Sequence, residues 1–297
     1  MKFISSKDLN KQKWDDLVSE NKGKSFSYSY YFDSNSKNWG AFVNEDYTKG
    51  IAIAYNKIFG VEIIYPPIFG KYFQFFGVNS TEISELLSRI QSRFKIATFH
   101  TVENIEADFK KFKLQEKKFQ IRDSSGKINT LSKRMVKKAE TNGIEILETP
   151  FEEILPIINA ELIFKLKNIE NGVYEKLEKL LHVLSEKKLL ISKGIFENGI
   201  LVGGLYFCET KTEILYLTGV AEESARTNGG MYLCMNSLIE HSISENKIID
   251  FGGSDIENIR RFYLSLGGID VNYFAISWDF SPFWFKALRK LSKLFKK

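Results

Sequence analysis

ILYLTGVAEESARTNGGMYLCM, residues 214–235, is the stretch from which the fold can be read. Ile214-Leu215-Tyr216-Leu217-Thr218-Gly219-Val220 predicts a buried strand. A polar turn follows and holds Glu222, Glu223, Arg226, Gly229 and Gly230. Met231, Met235, Leu238 and Ile239 then recur at helical spacing, so 229–245 predicts a helix. Glycines at a helix start leave free backbone amides where an anionic phosphate can approach. Arg226 would add a fixed cation able to bind phosphate through two donors. The same residues also read as an ordinary turn before a glycine helix start, and local pattern does not separate the two readings.

Toward the C-terminus, Ile248-Ile249-Asp250-Phe251 predicts a buried strand with a tight exit at Gly252-Gly253-Ser254. A helix is expected over 256–266, ended by Gly267-Gly268, then a strand over 269–277 and a helix over 282–296. Toward the N-terminus, strands 189–197, 200–208 and 212–220 form a meander that turns at Asn198-Gly199 and around Lys211. Before them come helices 151–168 and 173–187, strand 144–148, and a basic helix over 131–142 closed by Gly143.

The turn Asp123-Ser124-Ser125-Gly126 marks a boundary, and 297 residues suit two domains, 1–122 and 123–297. The first half gives a helix over 7–20 with Trp14, Leu17 and Val18 on its apolar stripe, then an aromatic stretch from Phe26 to Phe32. Strands at 41–45, 50–56 and 60–65 follow, with a hairpin at Asn56–Gly60 and an end at Tyr65-Pro66-Pro67. A helix over 80–93 and a strand over 95–99 close this half. Its element order is a shortened version of the second half, although no close internal repeat is visible.

Composition narrows the function classes. The net charge of +5 permits an anionic ligand without requiring one. Two cysteines, Cys208 and Cys234, exclude a disulfide framework and point to a reducing, cytoplasmic compartment. The histidines His100, His182 and His241 are scattered, so no metal is expected. No apolar run reaches signal-peptide or membrane-spanning length.

Four groups of residues carry a family resemblance. Arg226-x-x-Gly229-Gly230 resembles the R/Q-x-x-G-x-G/A diphosphate loop of the GNAT acyltransferase superfamily, departing from it at Met231. Asp250-Phe251-Gly252-Gly253 resembles the strand end of Fem-like proteins. Phe262-Tyr263 followed by Gly267 is similar to the final helix, where Fem-like proteins often carry Phe-Lys and ordinary GNAT proteins Tyr-x-x-x-Gly. Ser132-Lys133-Arg134-Met135-Val136-Lys137-Lys138-Ala139 looks like the basic helix opening the second domain of BioF2-like proteins. The first half, notably Trp14, Tyr28-Ser29-Tyr30-Tyr31 and Asn38 to Val43, is similar to bacterial members of the same FemAB-type group.

The resemblance implies an α+β fold of tandem GNAT-like domains, each a mixed, mostly antiparallel twisted sheet flanked by helices, with the second domain more complete. It implies an acyltransferase that uses acetyl-CoA or another acyl-CoA and acts on an amine of a sugar, peptide or envelope precursor. Val220 and Ala221 would lie beside the donor, Arg226, Gly229 and Gly230 under its phosphates, and strands 212–220 and 247–251 would splay apart. Tyr263 is the candidate acid for the leaving thiolate. Asp250 and Glu222, with Glu223, are candidate bases. Asp250 also reads as a cap on the Gly252 turn, and the glutamates as a solvated turn.

Two other readings stay open. The basic face of Lys133, Arg134, Lys137 and Lys138 suits a tRNA acceptor stem and hence a Fem-like transferase using aminoacyl-tRNA, or simply water. A non-catalytic binding member is the third reading. No DNA partner is implied.

The tail places Trp284, Phe285, Leu288, Leu291 and Phe295 on one helical face. Lys286, Arg289, Lys290, Lys293, Lys296 and Lys297 fall on the other. That pattern fits peripheral contact with the inner face of a membrane through 282–297, or docking on the chain's own domain.

Overall fold

The structure, a computed structural model, describes residues 1–103, 105, 112–165, 172–252 and 256–294, with side chains apart from those of 161–165 and 290–294. By its contacts the chain divides into two units: Met1–Lys117 with Tyr273–Lys297, and Lys118–Asn272. The expected boundary lay at 122/123. On this division the tail segment 273–297 packs with the first unit.

In the first unit, β1 (Lys2–Ser5), β2 (Asn38–Val43), β3 (Gly50–Ile58), β4 (Val61–Ile64), β5 (Ile96–Thr101) and the far end of β12 (Ile269–Asp279) lie side by side in that order. All the neighbours are antiparallel except β4 and β5, which are parallel. The β3–β4 hairpin turns tightly at Phe59 and Gly60, φ +47 and +81, the left-handed pair that suits the right-handed strand twist. It was expected over Asn56–Gly60, and the strands instead run to Ile58 and from Val61.

Helix α1 (Lys11–Glu20) buries Trp14, Leu17 and Val18, as its stripe predicts. The aromatic stretch yields a short helix, α2 (Ser29–Asn35), that buries Tyr31 and Phe32. Helix α3 (Ser80–Arg93) carries a full capping box: the Asn79 side chain accepts from Glu82 N, and Glu82 accepts from Asn79 N.

In the second unit the strand order is β6 (Lys113–Arg122), β11 (Ile248–Asp250), β10 (Glu213–Ala221), β9 (Ile200–Glu209), β8 (Leu190–Glu197) and β7 (Ile144–Glu148). Only β10 and β11 run parallel. Helices α4 (Thr130–Thr141) and α8 (Gly230–Ser244) pack together. They cover a core of Ile195, Leu205, Phe207, Ile214, Met235, Leu238, Ile249, Phe251 and Tyr263. Helices α5 (Phe151–Lys165) and α6 (Val173–Glu186) pack on strands of the same sheet, and the Tyr206 hydroxyl donates to Phe151 O at 2.7 Å. The remaining helices are α7 (Glu223–Thr227), α9 (Glu257–Ser265) and, in the first unit, α10 (Phe283–Leu294).

Arg122 pins the turn expected at 123–126. Its buried guanidinium donates to Leu266 O (3.1 Å), Asp123 O (3.2 Å) and Gly126 O (2.8 Å). A Cβ on Gly267, φ +87, would lie 2.8 Å from Lys127 N. The glycine that ends α9 is therefore needed for this close approach as well as for its conformation.

Candidate active site

Strand β10 pairs with β9 from Ile214↔Glu209 to Ala221↔Gly203, with one irregularity between Tyr216 and Thr218. Its other edge pairs with β11 only at Glu213↔Ile248, Ile214↔Ile249 and Leu215↔Asp250. Among the described residues the ladder stops there, so residues 216–221 form one wall of a fork.

The cause is local. Against Phe207 and Tyr206, β10 sets Tyr216 and Thr218, leaving Leu217 as an extra residue. Such a bulge bends its strand and increases the local twist. Strand β11 ends at the same level. Gly252, φ +92, turns the chain away, and the Asp250 carboxylate accepts from Gly252 N at 3.0 Å. Residues 216–219 are accordingly part-exposed between buried flanks.

Two phenols meet at the base of the fork. Tyr263, from α9, stacks on Phe251 with ring centroids 4.9 Å apart and 9° between planes. Its edge meets Tyr216 at 6.2 Å and 71°. The Tyr216 hydroxyl lies over Gly219, where a Cβ would approach it to 2.9 Å and Leu205 Cγ to 2.6 Å. Glycine at 219 thus makes room for the phenol. Tyr232, in the first turn of α8, meets Phe262 edge-on at 4.8 Å.

Tyr263 is 5% exposed. Burial, then the negative charge of Asp250, pushes its phenol well above the ordinary tyrosine range. Burial, then Tyr263 and Cys234, does the same to Tyr216. Both phenols therefore hold their protons throughout the neutral range. Burial likewise raises the Cys234 thiol to about 12, so it is an inert packing group.

The segment after β10 is a short helix, α7, where a glycine-bearing turn was expected. Glu222 N donates to Val202 O at 2.9 Å and its exposed side chain precedes α7. Glu197 ties the segment down. It accepts from Ser224 and, at 2.9 Å, from Asn228, and these bonds hold its carboxyl below the usual range. Lys138, from the basic helix, donates to Thr227 O at 3.0 Å.

Helix α8 then starts at Gly229, φ +92, with no side-chain cap. A Cβ there would stand 2.3 Å from Met135 O, so both conformation and α4 packing require glycine. The contrast with α3 is physical: the capping box fills the start of α3, whereas the start of α8 has no such cap.

The sequence-predicted residues fall into three groups. Tyr263 and Asp250 come together at the base of the fork. Val220 and Ala221, both buried, lie on the β10 wall, and Gly229 and Gly230 form the α8 start. Arg226 and Glu222 stand exposed on either end of α7. Gly253 lies outside the described residues. Sequence reading missed Tyr216 as a site residue. Its signal is an aromatic placed three residues before Gly219 in an otherwise aliphatic strand.

A separate cleft of about 440 Å³ opens between the start of α5 and β8, lined by residues that include Glu148, Thr149, Phe151, Glu152 and Ser192. It lies beyond β9 from the fork. Among the described residues no three His, Cys, Asp or Glu side chains come together as a metal site.

No family model and no curated protein matches the sequence. Solved structures do match the fold. The crystal structure of FemX aligns over 92% of this chain and 97% of its own, with a TM-score of 0.64 at 10% identity. L-PGS from Bacillus licheniformis aligns over 91% and 92%, with a TM-score of 0.58 at 13% identity. A tandem GNAT protein from the clavulanic acid biosynthesis pathway aligns over 95% and 99%, with a TM-score of 0.55 at 11% identity. Together with the parallel β10–β11 pair, its fork and the uncapped start of α8, these likenesses make the fold of this chain Fem-like and GNAT-type.

Proposed function

We propose that the chain is an acyl-CoA-dependent N-acyltransferase acting on an amine of a sugar, peptide or envelope precursor. The observation that carries this reading is the fork between β10 and β11, with two protonated phenols at its base and an uncapped helix start beside it. An extended donor can run along 216–221, where alternate residues turn their N–H and C=O groups away from β9. The amides at the start of α8 suit its diphosphate, with Arg226 as the flanking cation. Val220 and Ala221 stand beside the donor.

In the reaction the amine nitrogen attacks the thioester carbonyl carbon and a tetrahedral oxyanion forms. Collapse breaks the C–S bond. Tyr263 donates its hydrogen bond and then its proton to the departing thiolate, and recovers a proton from the carboxylate that takes one from the attacking nitrogen. The attacking nitrogen loses its proton to a carboxylate. Asp250, beside Tyr263, fits this role directly or through water, and Glu222 is the alternative at the outer end of β10. The buried cysteines Cys208 and Cys234 suit a reducing, cytoplasmic setting.

Calorimetric titration of the purified protein with acetyl-CoA tests the reading. Saturable heat and a raised melting temperature are expected. Neither heat nor thermal shift with acetyl-CoA or longer acyl-CoAs would overturn it.

A second reading, transfer from aminoacyl-tRNA, is favoured by one observation. Lys133, Arg134 and Lys137 stand exposed on α4, whose Lys138 reaches the segment next to the α8 start. Retention of charged tRNA on filters at low salt, falling steeply as salt rises, would support this donor. Absence of retention would remove it.

A further inference from the structure

The apolar face of α10 points outward. At about 100° per residue, Phe283, Ala287, Trp284 and Leu288 follow one another round about 140° of the helix. Phe283 is 87% exposed, Trp284 50% and Leu288 37%, and Ala287 is exposed as well. Phe285 is fully buried and falls beyond Leu288, toward Arg289. Among the described side chains of the helix, one ring, that of Phe285, anchors it at the margin of its basic side. An exposed pair, Arg289 with Asp279 at 3.2 Å, adds little. A helix docked on its own unit would bury Trp284 and Leu288. Phe280, just before α10, is exposed too.

Charge identifies what covers this face. Residues 282–297 contain six Lys or Arg and no Asp or Glu. A second copy of the chain seated by two-fold symmetry would bring a second such cationic segment against the first. An anionic surface of low dielectric instead satisfies both faces at once: aromatic and aliphatic side chains enter it while the cations meet its headgroups. Each cation near such a surface adds to the attraction. Among the described residues no helix is long and apolar enough to cross a membrane. We infer that α10 lies on the surface of an anionic phospholipid bilayer, Phe283, Trp284 and Leu288 inserted, and holds the protein there. This inference is independent of the chemistry at the fork.

The protein carries its own reporter. Of its four tryptophans, Trp14, Trp39 and Trp278 are buried and Trp284 is exposed. The full chain is mixed with vesicles of phosphatidylglycerol and phosphatidylcholine in equal parts, and with phosphatidylcholine alone. Sedimentation with the anionic vesicles and a blue shift of tryptophan emission are expected, both weakened by salt. The double variant Phe283→Ser/Leu288→Ser should bind about tenfold more weakly or worse, and its melting temperature should stay unchanged because both side chains are exposed. Lys286→Glu/Lys290→Glu should abolish the preference for anionic vesicles. No sedimentation and no blue shift with anionic vesicles would overturn the inference. So would a concentration-dependent dimer that the Phe283→Ser/Leu288→Ser variant dissolves.

Discussion

Tyr263 and Tyr216 differ in what each ring touches, and that separates their expected roles. Tyr263 stacks flat on Phe251, and burial, with the Asp250 charge second, raises its phenol. Phenylalanine at 263 would keep the stack and lose only the proton. Tyr263→Phe should therefore lower the rate of transfer about 10²–10⁴-fold, the usual contribution of a positioned acid, with acyl-CoA affinity within a factor of two or three. Steady-state kinetics beside calorimetry separates the two quantities.

Three phenols, those of buried Tyr206 and Tyr263 and of half-buried Tyr216, also set a limit at alkaline pH. Tyr206, Tyr216 and Tyr263 all have folded-state values raised above the ordinary 10. Above pH ~10 the unfolded chain gives up these protons while the folded chain keeps them. Stability should therefore be flat on this account below pH ~10 and fall as pH rises beyond it. Urea melts at pH 9 and 10.5 check the slope, and Tyr206→Phe should reduce it.

At the level of elements, the account makes the glycine at the α8 start structural as well as functional. Gly229→Ala places a side chain at φ +92 and against the α4 backbone. It should cost at least about 1–3 kcal/mol in urea unfolding, the usual cost of such a conformation. Arg122→Met should cost at least about 2 kcal/mol, because carbonyls of the 123–126 turn and of Leu266 lose a buried donor.

Elements with strong local signals were legible in the sequence. The 80–93 helix and the 144–148 strand fall where their patterns place them. Others were hidden for identifiable reasons. Strand β6, KLQEKKFQIR, is polar over most of its length and buries only Phe119, Gln120 and Arg122, so no alternation shows. Four-residue aromatic crowding disguised α2, and α7 is too short to carry a period. The bulge at Leu217 has no sequence mark, because register is settled by pairing with β9 and not by β10 alone. For α10 the spacing grouped Phe285 with Trp284 and Leu288, whereas of these three only Phe285 is buried; the side chains of Leu291 and Phe295 lie outside the described residues. A helical period does not say which side docks.

At the scale of the molecule, the two units share an element logic but differ where chemistry needs an opening. Strand β4, helix α3 and strand β5 repeat the parallel strand–helix–strand arrangement of β10, α8 and β11. In the first unit a capping box closes the helix start and Pro66-Pro67 follow the strand. We propose that only the second unit binds donor and that the first is a degenerate copy.

The most direct test is backbone hydrogen exchange of the whole protein with and without saturating acetyl-CoA. The account predicts slowed exchange in peptides covering 216–221 and 229–233, and little change at the start of α3 or in the cleft near 148–152. Binding that leaves 216–221 and 229–233 unaltered, or that protects 148–152 instead, would contradict it.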